Sequence, residues 1–219
     1  MNLNKEIYFA IIGDVIESRN IENRDSVQKQ YVEIINKINK EYSEDIASKF
    51  QITLGDSFQG LLKNTTNLFT ILQEIEEALS PYKLRFGIGV GSINTSIIIE
   101  NSSLIDGPAY HNARFAIDDV KTINKENTYL LVHSNNKVLD DLINSSLTLC
   151  SYIKSTWTKK QKEVIKLHIK MNKSQVEIAN ELNIKQPSVN GRLQSSNINL
   201  YIESMKNINT AFQLYLGGK

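Results

Sequence analysis

Two aspartates that follow short apolar runs carry the clearest chemical signal in this sequence. Asp14 follows the apolar run 7–12, and Asp56 lies between the runs 49–54 and 57–62. A continuous apolar run is typical of a strand buried on both faces, and a Gly-Asp pair between strand-like runs favours a hairpin turn. If the two strands are neighbours in one sheet, both carboxylates point to one place, where a cation relieves their repulsion. Hard oxygen ligands of this kind suit Mg²⁺.

Each aspartate also has a purely structural interpretation. Gly13-Asp14 can end a strand with an aspartate that caps a helix, and Gly55-Asp56 can be only a turn. The spacing alone leaves both interpretations open.

The periodicity around the aspartates predicts the elements that hold them. Strand, helix, hairpin, helix, strand, helix and strand follow one another up to about residue 132, and the chain is helical from about 134. This order predicts an α+β fold, namely a ferredoxin-like βαββαβ palm with an added strand. The predicted elements are the strand 7–12, a helix from Asp25-Ser26 with Val27, Tyr31, Ile34, Ile35 and Ile38 buried, strands 49–54 and 57–62, a helix capped by Thr65-Thr66 and ended by Pro81, the strand 84–93, a helix over 106–116 and the strand 128–132.

Three glycines alternate along the strand 84–93. Gly87, Gly89 and Gly91 expose backbone on one face, which weakens a strand unless a chain segment or a ligand lies against it. Close packing of a helix on the sheet is the simpler explanation, and the sequence does not decide between them.

Four blocks in this order resemble the palm of class III nucleotidyl cyclases. With Gly-Asp-Val-Ile-Glu-Ser-Arg at 13–19, they resemble the SatD family more closely still. The cyclase resemblance covers about residues 5–132, and the SatD resemblance covers nearly the whole chain. The blocks are Asp14 after its strand, Leu-Gly-Asp-Ser-Phe at 54–58, Arg-Phe-Gly-Ile-Gly-Val-Gly at 85–91 and Gly-Pro-Ala-Tyr-His-Asn-Ala-Arg at 107–114.

The cyclase resemblance implies a set of site residues. Asp14 and Asp56 match metal-binding aspartates, with the Val15 carbonyl as a third ligand of Mg²⁺. Arg114 matches an arginine that stabilises phosphate charge in the transition state. The residues that the resemblance assigns to nucleotide binding are Gly55, Ser57, Phe58 and Arg114.

The sequence also departs from the cyclase pattern. Cyclases place an asparagine one turn before the arginine, where this chain has Tyr110, and Asn112 is out of phase with Arg114. No counterpart of the purine-reading lysine is found, so the resemblance also fits a palm that binds a nucleotide without cyclising it. Arg114 can instead pair with Asp118 on a solvent-exposed helix face.

The charge distribution predicts a second, basic part. Residues 150–219 carry 11 Lys/Arg and 4 Asp/Glu, a net +7, whereas residues 1–149 carry the remaining 14 and 20, a net −6. We therefore predict a palm domain over 1–149 and a helical domain over 150–219, the latter a candidate for nucleic acid. Lysine-rich helices also serve solubility alone.

The helical part resembles the helix-turn-helix of sigma-factor region 4. Ser174 caps a short helix 175–182, Ala179 allows close helix crossing, and Ile184 and Val189 fill the corner. The alternative is a helix pair that docks on the palm or on another subunit. The candidate DNA-binding residues are Ser174, Gln175, Gln186, Ser188, Asn190 and Arg192.

The remaining features narrow the class of protein. A single cysteine, Cys150, excludes an internal disulfide framework, and no apolar stretch approaches the ~20 residues of a membrane helix, so we expect a cytoplasmic protein. The apolar residues of the last helix, about 197–215, predict either dimerisation or packing on its own domain. We expect a homodimeric DNA-binding regulator whose palm binds a nucleotide and Mg²⁺, with a magnesium-dependent cyclase or nucleotidyltransferase as the alternative and a scaffold as the third choice.

Overall fold

The strand β1 lies at the centre of a single five-stranded sheet. The computed structural model describes residues 6–18, 23–53, 56–122, 129–169 and 171–217. The strand order is β2-β3-β1-β4-β5, in which β1 is antiparallel to both β3 and β4, β2 is antiparallel to β3, and β5 is parallel to β4. This is the predicted ferredoxin-like arrangement with its added strand. The strands are β1 (Tyr8–Val15), β2 (Ile46–Ile52), β3 (Ser57–Leu62), β4 (Leu84–Gly91) and β5 (Leu130–His133).

Helices cover both faces of the sheet, which is why β1 is apolar up to Asp14 near its end. The side chains of Phe9 and Ile11 belong to a core on one face, together with those of α1 and α2, whereas Ala10 and Ile12 pack with α3 on the other. The helices of this part are α1 (Arg24–Glu41), α2 (Leu68–Ala78), α3 (Pro108–Thr122) and α4 (Lys137–Ser155).

The predicted buried stripe of α1 is confirmed, but the predicted cap of α2 is wrong. All five predicted stripe residues of α1 are buried. The helix α2 begins at Leu68, and its N-cap Asn67 makes no side-chain cap. Thr65 is buried and its backbone carbonyl, rather than its hydroxyl, accepts a hydrogen bond from the Leu68 N–H at 3.2 Å.

The alternating glycines of β4 let α3 lie directly on the sheet. A Cβ atom at Gly89 would overlap the backbone carbonyl of Ala109 and the backbone nitrogen of Ala113. A Cβ at Gly87 would lie 2.5 Å from the Ala113 carbonyl oxygen. Close helix packing therefore accounts for these glycines.

The last four helices build a second core. They are α5 (Lys159–Ile169), α6 (Gln175–Glu181), α7 (Gln186–Ser195) and α8 (Ile198–Gly217). Trp157, Val164, Ile178, Val189 and Leu193 are buried together in this core.

The helix α8 joins the two cores. Its first residue Ile198 is buried in the second core, which we call the helix-turn-helix core. Ile208 and Phe212 are buried with Phe9 and Ile11 in the core on the α1–α2 face of the sheet, which we call the palm core. The Phe212 ring meets the rings of Phe9 and Phe69 edge-on, at centroid distances of 5.7 and 5.8 Å. A boundary at 149/150 falls inside α4, and the last helix packs largely on the palm, which the sequence analysis did not anticipate.

Replacing Gly89 with alanine is expected to destabilise the palm by about 1–3 kcal/mol, because backbone atoms of α3 must move to admit the methyl group. The matched control is Gly191→Ala in α7, where an added Cβ meets nothing within 4 Å. That change should stabilise the protein by up to about 1 kcal/mol through helix propensity. Urea denaturation of both variants measures the two free energies of unfolding. Equal effects of the same sign would contradict the packing of α3 on Gly89.

Candidate functional site: an acidic palm edge and a helix-turn-helix surface

Asp14 is a buried carboxylate held between two cations. It lies near the end of β1, where the register pairs it with Ser57 on β3 and with Arg85 on β4. Only 6% of Asp14 is exposed, and its Oδ1 accepts a hydrogen bond from Arg85 Nε at 2.9 Å. The Nζ of Lys121, in the last turn of α3, lies 3.2 Å from the other oxygen. The two cations compensate the cost of burying this charge.

Asp56 lies in the turn before β3 and is tied to the end of β1. Its backbone carbonyl accepts hydrogen bonds from the Val15 N–H and from the Tyr31 hydroxyl, both at 3.2 Å. Its carboxylate accepts a hydrogen bond from the Ser18 hydroxyl. The structure therefore brings Asp56 beside Val15, the residue that follows Asp14.

Both aspartates affect the pKa of Tyr31. Burial raises the pKa of the Tyr31 hydroxyl most, and the negative charges of Asp56 and Asp14 raise this pKa further. The hydroxyl therefore stays protonated and donates to the Asp56 carbonyl across the neutral pH range.

The oxygen atoms at this site are of the chemical type that binds a hard divalent cation. Asp14 and Asp56 supply carboxylates, and Ser18 supplies a hydroxyl close to Asp56. Among the residues that the structure describes, no group of three or more His, Cys, Asp or Glu side chains is arranged to hold a metal. A cation bound by both aspartates would compete with Lys121 for Asp14.

The other predicted nucleotide-binding residues lie in different surroundings. Ser57 is half-buried beside Asp14, and Gly55 lies outside the described residues. Phe58 is fully buried, and its ring contacts those of Tyr31, Phe50 and Phe86. Its side chain therefore belongs to the palm core, and its backbone is paired with β1 and β2 on the two sides of β3.

Arg114 lies on the outward face of α3, apart from Asp14. It is exposed next to Phe115, which is 61% exposed, while Ala113 and Ile117 face the sheet. Within the described part of the chain no Arg114–Asp118 ion pair forms; Asp118 lies 3.8 Å from Lys121 instead. The Asn112 amide donates to the Val90 carbonyl at 2.9 Å and thus fastens α3 to β4.

Sequence reasoning missed Arg85 and Lys121, the two cations on Asp14. Arg85 is the one charged residue of β4, and a charge in an otherwise apolar strand is a signal that could have been used. Lys121 gave no such signal, because lysine in the last turn of a helix is common for electrostatic reasons alone.

The helix-turn-helix has the local geometry that the sequence predicts. The Ser174 hydroxyl accepts from the Glu177 N–H, and the Glu177 carboxylate accepts from the Ser174 N–H at 2.8 Å, which completes a capping box. The Ser174 hydroxyl also donates to the Glu177 carboxylate at 2.7 Å, and this bond, together with the one from the Ser174 N–H, lowers the pKa of Glu177. Ala179 and Val189 are buried at the helix crossing, and the turn contains Asn183 with a φ of 51°.

The candidate DNA-binding residues surround α7 instead of sharing one face. Gln186 and Ser188 are exposed, whereas Asn190 and Arg192 are half-buried. The Gln175 amide donates to Asn190 at 3.5 Å and accepts from Gln186 at 3.4 Å, so these three amides lie side by side. The outward face of α7 consists of Pro187, Ser188, Gly191, Gln194 and Ser195, all exposed.

Comparison with solved structures finds nucleotidyl cyclase domains among the similar chains. A bacterial light-regulated adenylyl cyclase is 12% identical, with 57% of this chain and 74% of that chain covered and a TM-score of 0.44. The dimeric guanylyl cyclase domain of the RhoGC fusion protein from the aquatic fungus Blastocladiella emersonii is 13% identical, with 52% and 74% covered and a TM-score of 0.40.

A third solved structure aligns over most of the chain. The regulator of polyketide synthase expression from Bifidobacterium adolescentis is 12% identical, with 96% of this chain and 86% of that chain covered and a TM-score of 0.27. The fold assignment rests on the strand order itself.

Comparison with curated proteins finds no significant match to this chain. In the described ranges, every helix is too short or too polar to cross a membrane.

The family model described as "SatD family" matches residues 8–214, so the palm and the helix-turn-helix are covered by one match. The chain belongs to the SatD family.

Proposed function

We propose that this protein is a DNA-binding regulator whose palm binds a nucleotide together with a divalent cation. The observation that carries the proposal is the helix-turn-helix unit, whose α7 presents an exposed polar face at the end of a basic segment. The palm supplies a separate site, at which Asp14 is paired with Arg85 and Lys121 and Asp56 lies beside the end of β1. We call this site the acidic edge.

The charges around α7 support DNA as the partner of the basic segment. Lys185 is exposed at the N-cap of α7, the end that a recognition helix presents to base edges. The α5 helix adds exposed lysines within reach of a phosphate backbone, at 159, 160, 162 and 166.

The palm edge supports a phosphate-bearing ligand with its cation. A divalent cation, when bound, would be held by Asp14 and Asp56 and would neutralise phosphate charge. Lys121, whose side chain is 40% exposed, would then be available to a phosphate oxygen. Arg85, which is 24% exposed and held at 2.9 Å, keeps Asp14 oriented.

The shared helix α8 supports coupling between the two parts. Tyr201 of α8 packs against both the palm core and the helix-turn-helix core. The Trp157 ring meets Tyr201 at 5.2 Å between centroids, and Trp157 Nε1 donates to the Ser196 carbonyl at 2.8 Å. A ligand that shifts α8 through the palm therefore acts on the helix-turn-helix through direct packing.

Lys185→Ala is expected to weaken binding to duplex DNA and to lower the salt slope by about 1, since each phosphate contact releases about one counterion. Gel-shift titrations over a series of salt concentrations measure both quantities. The matched control is Lys40→Ala, an exposed lysine on the palm helix α1, which should bind like the wild type. Wild-type binding that is absent, or that does not change with salt, would contradict the DNA-binding proposal.

Asp56→Asn is expected to abolish stabilisation of the palm by a nucleoside triphosphate with Mg²⁺. The wild type should gain stability as RT ln(1 + [L]/Kd), about 2.7 kcal/mol at a ligand concentration of 100 Kd. Thermal unfolding with each triphosphate, with and without Mg²⁺, measures this gain. The control Asp106→Asn changes a carboxylate that is 64% exposed and paired with His111, and it should keep the wild-type shift. A wild type that no triphosphate stabilises would contradict nucleotide binding at this site.

Nucleotidyl transfer is the second candidate function, and the exposed position of Arg114 favours it. On the outward face of α3 its guanidinium is exposed and therefore available to a phosphate group. Incubation with each triphosphate and Mg²⁺ or Mn²⁺, followed by separation of products, should then give a product that Arg114→Ala loses. Binding without any product leaves the regulator as the function.

A further inference from the structure

The helix α4 has large apolar side chains on both of its faces. Ile143, Leu147 and Cys150 are buried in the palm core. On the opposite face Val138, Leu142, Leu149 and Tyr152 are 71%, 64%, 64% and 58% exposed. We call these last four residues the α4 stripe. A surface helix normally carries polar residues on its outward face, so a second apolar stripe on that face indicates a surface that a partner covers.

The spacing of the α4 stripe matches the seam of a helix pair. The steps from Val138 to Leu142, from Leu142 to Leu149 and from Leu149 to Tyr152 are of 4, 7 and 3 residues, which keeps all four on one side of the helix. Ser145 is the exposed residue between the leucines and completes the heptad pattern. Scattered surface leucines do not keep such a period.

The α4 stripe is symmetric about its centre. Reading outward from Ser145, a leucine stands on each side and then a larger or branched apolar residue, Val138 on one side and Tyr152 on the other. An antiparallel copy of the same helix therefore places Leu142 against Leu149 and Val138 against Tyr152. Such a pattern complements itself under a two-fold axis, which is the property of an isologous dimer interface. The small Ser145 side chain on the axis allows the two helices to approach closely.

We propose that a second copy of this chain covers the α4 stripe and forms an antiparallel, two-fold α4–α4 dimer. The apolar side chains are placed symmetrically about the small residue Ser145, and this arrangement favours a second α4 helix over an unrelated partner. The other helices with exposed large apolar residues in the described sequence do not repeat this order. For example, α3 has Phe115, and on α8 Leu200 and Ile202 lie on different sides of the helix.

The charges at the ends of α4 permit this pairing. Lys137 pairs with Asp141 at 3.2 Å on its own helix, and Lys154 pairs with Glu76 of α2. The lysines that an antiparallel partner would bring together are therefore already neutralised within each copy. The helix dipoles are also opposed in an antiparallel pair, which is favourable.

The area of the α4 stripe suits a modest dimer. Four large side chains more than half exposed on each copy correspond to on the order of 1,000 Å² of apolar surface in a pair, near the lower limit for specific interfaces. The interface lies on the α1–α2 side of the sheet, away from the outward face of α3. It therefore forms whether or not the palm binds a nucleotide.

The proposed dimer also has a consequence for DNA, and this part rests on the proposed function. The helix α4 of 19 residues leads directly into the helix-turn-helix. Its C-terminal ends would lie roughly 28 Å apart in an antiparallel pair, given a rise of 1.5 Å per residue. Half-sites read by helix-turn-helix dimers lie about 34 Å apart. We therefore expect the DNA site to be an inverted repeat.

The oligomeric state in solution tests the dimer. Sedimentation equilibrium of the wild-type chain at micromolar concentration should give the mass of a dimer, and the double variant Leu142→Glu, Leu149→Glu should give that of a monomer. Both leucines are 64% exposed, so thermal unfolding and circular dichroism should show the same fold. The matched control Phe115→Glu changes an exposed aromatic residue on α3 and should remain dimeric. A monomeric wild type, or dissociation by Phe115→Glu and not by the double variant, overturns the proposal.

Cross-linking tests the orientation of the two helices. A mixture of Val138→Cys and Tyr152→Cys chains should form a disulfide between unlike chains on mild oxidation, and neither variant alone should do so efficiently. The native Cys150 is 3% exposed, so the wild type provides the blank. Disulfides that form within each variant alone, and not in the mixture, show parallel helices and overturn the antiparallel arrangement. Failure of DNA binding leaves both experiments unaffected.

Discussion

The direct contact between α3 and the backbone of β4 is the constraint on which the palm depends. Gly89 meets the backbone of Ala109 and Ala113, so no side chain separates helix from sheet. Because the helix lies this close, its last turn brings Lys121 to 3.2 Å from Asp14, near the end of the central strand. Arg114 lies two turns before Lys121 on the same side of α3 and is exposed. The close contact between helix and sheet, made by residues without large side chains, thus places Lys121 beside the buried carboxylate.

The electrostatics of the acidic edge follow from this placement. Asp14 is 6% exposed and would be costly to bury alone, but Arg85 and Lys121 hold one carboxylate oxygen each. Arg85 is on a strand and its position is fixed by the register. Lys121 is on α3, and its long side chain is 40% exposed. The contact of Lys121 with Asp14, at 3.2 Å, is therefore the longer and more solvated of the two. Asp56, held by Ser18, Tyr31 and Val15, does not need to move.

The sequence predicted those parts of the fold that depend on local pattern. The stripe of α1, the burial of β1 on both faces and the cap at Ser174 all follow from patterns over a few residues. What it did not predict depends on contacts between distant segments. Lys121 contacts Asp14 although the two residues are more than a hundred positions apart in the chain. Phe58, which the cyclase resemblance assigned to nucleotide binding, has its side chain in the core. The helix α8 returns to the palm at Phe212. Helical periodicity shows that a face is buried and does not show which partner buries it.

The path of α8 gives the two parts of the chain a common physical basis. Its N-terminal end helps to bury Val189 and Trp157, and its C-terminal half packs Phe212 against Phe9 of the central strand. Because one helix contributes to both cores, neither core can lose its packing on α8 without a cost to the other. A ligand that orders the acidic edge acts on β1, and β1 contacts α8 at Phe9. A continuous chain of packed side chains therefore connects the central strand with the helix-turn-helix core, and it is the physical basis for the coupling proposed above.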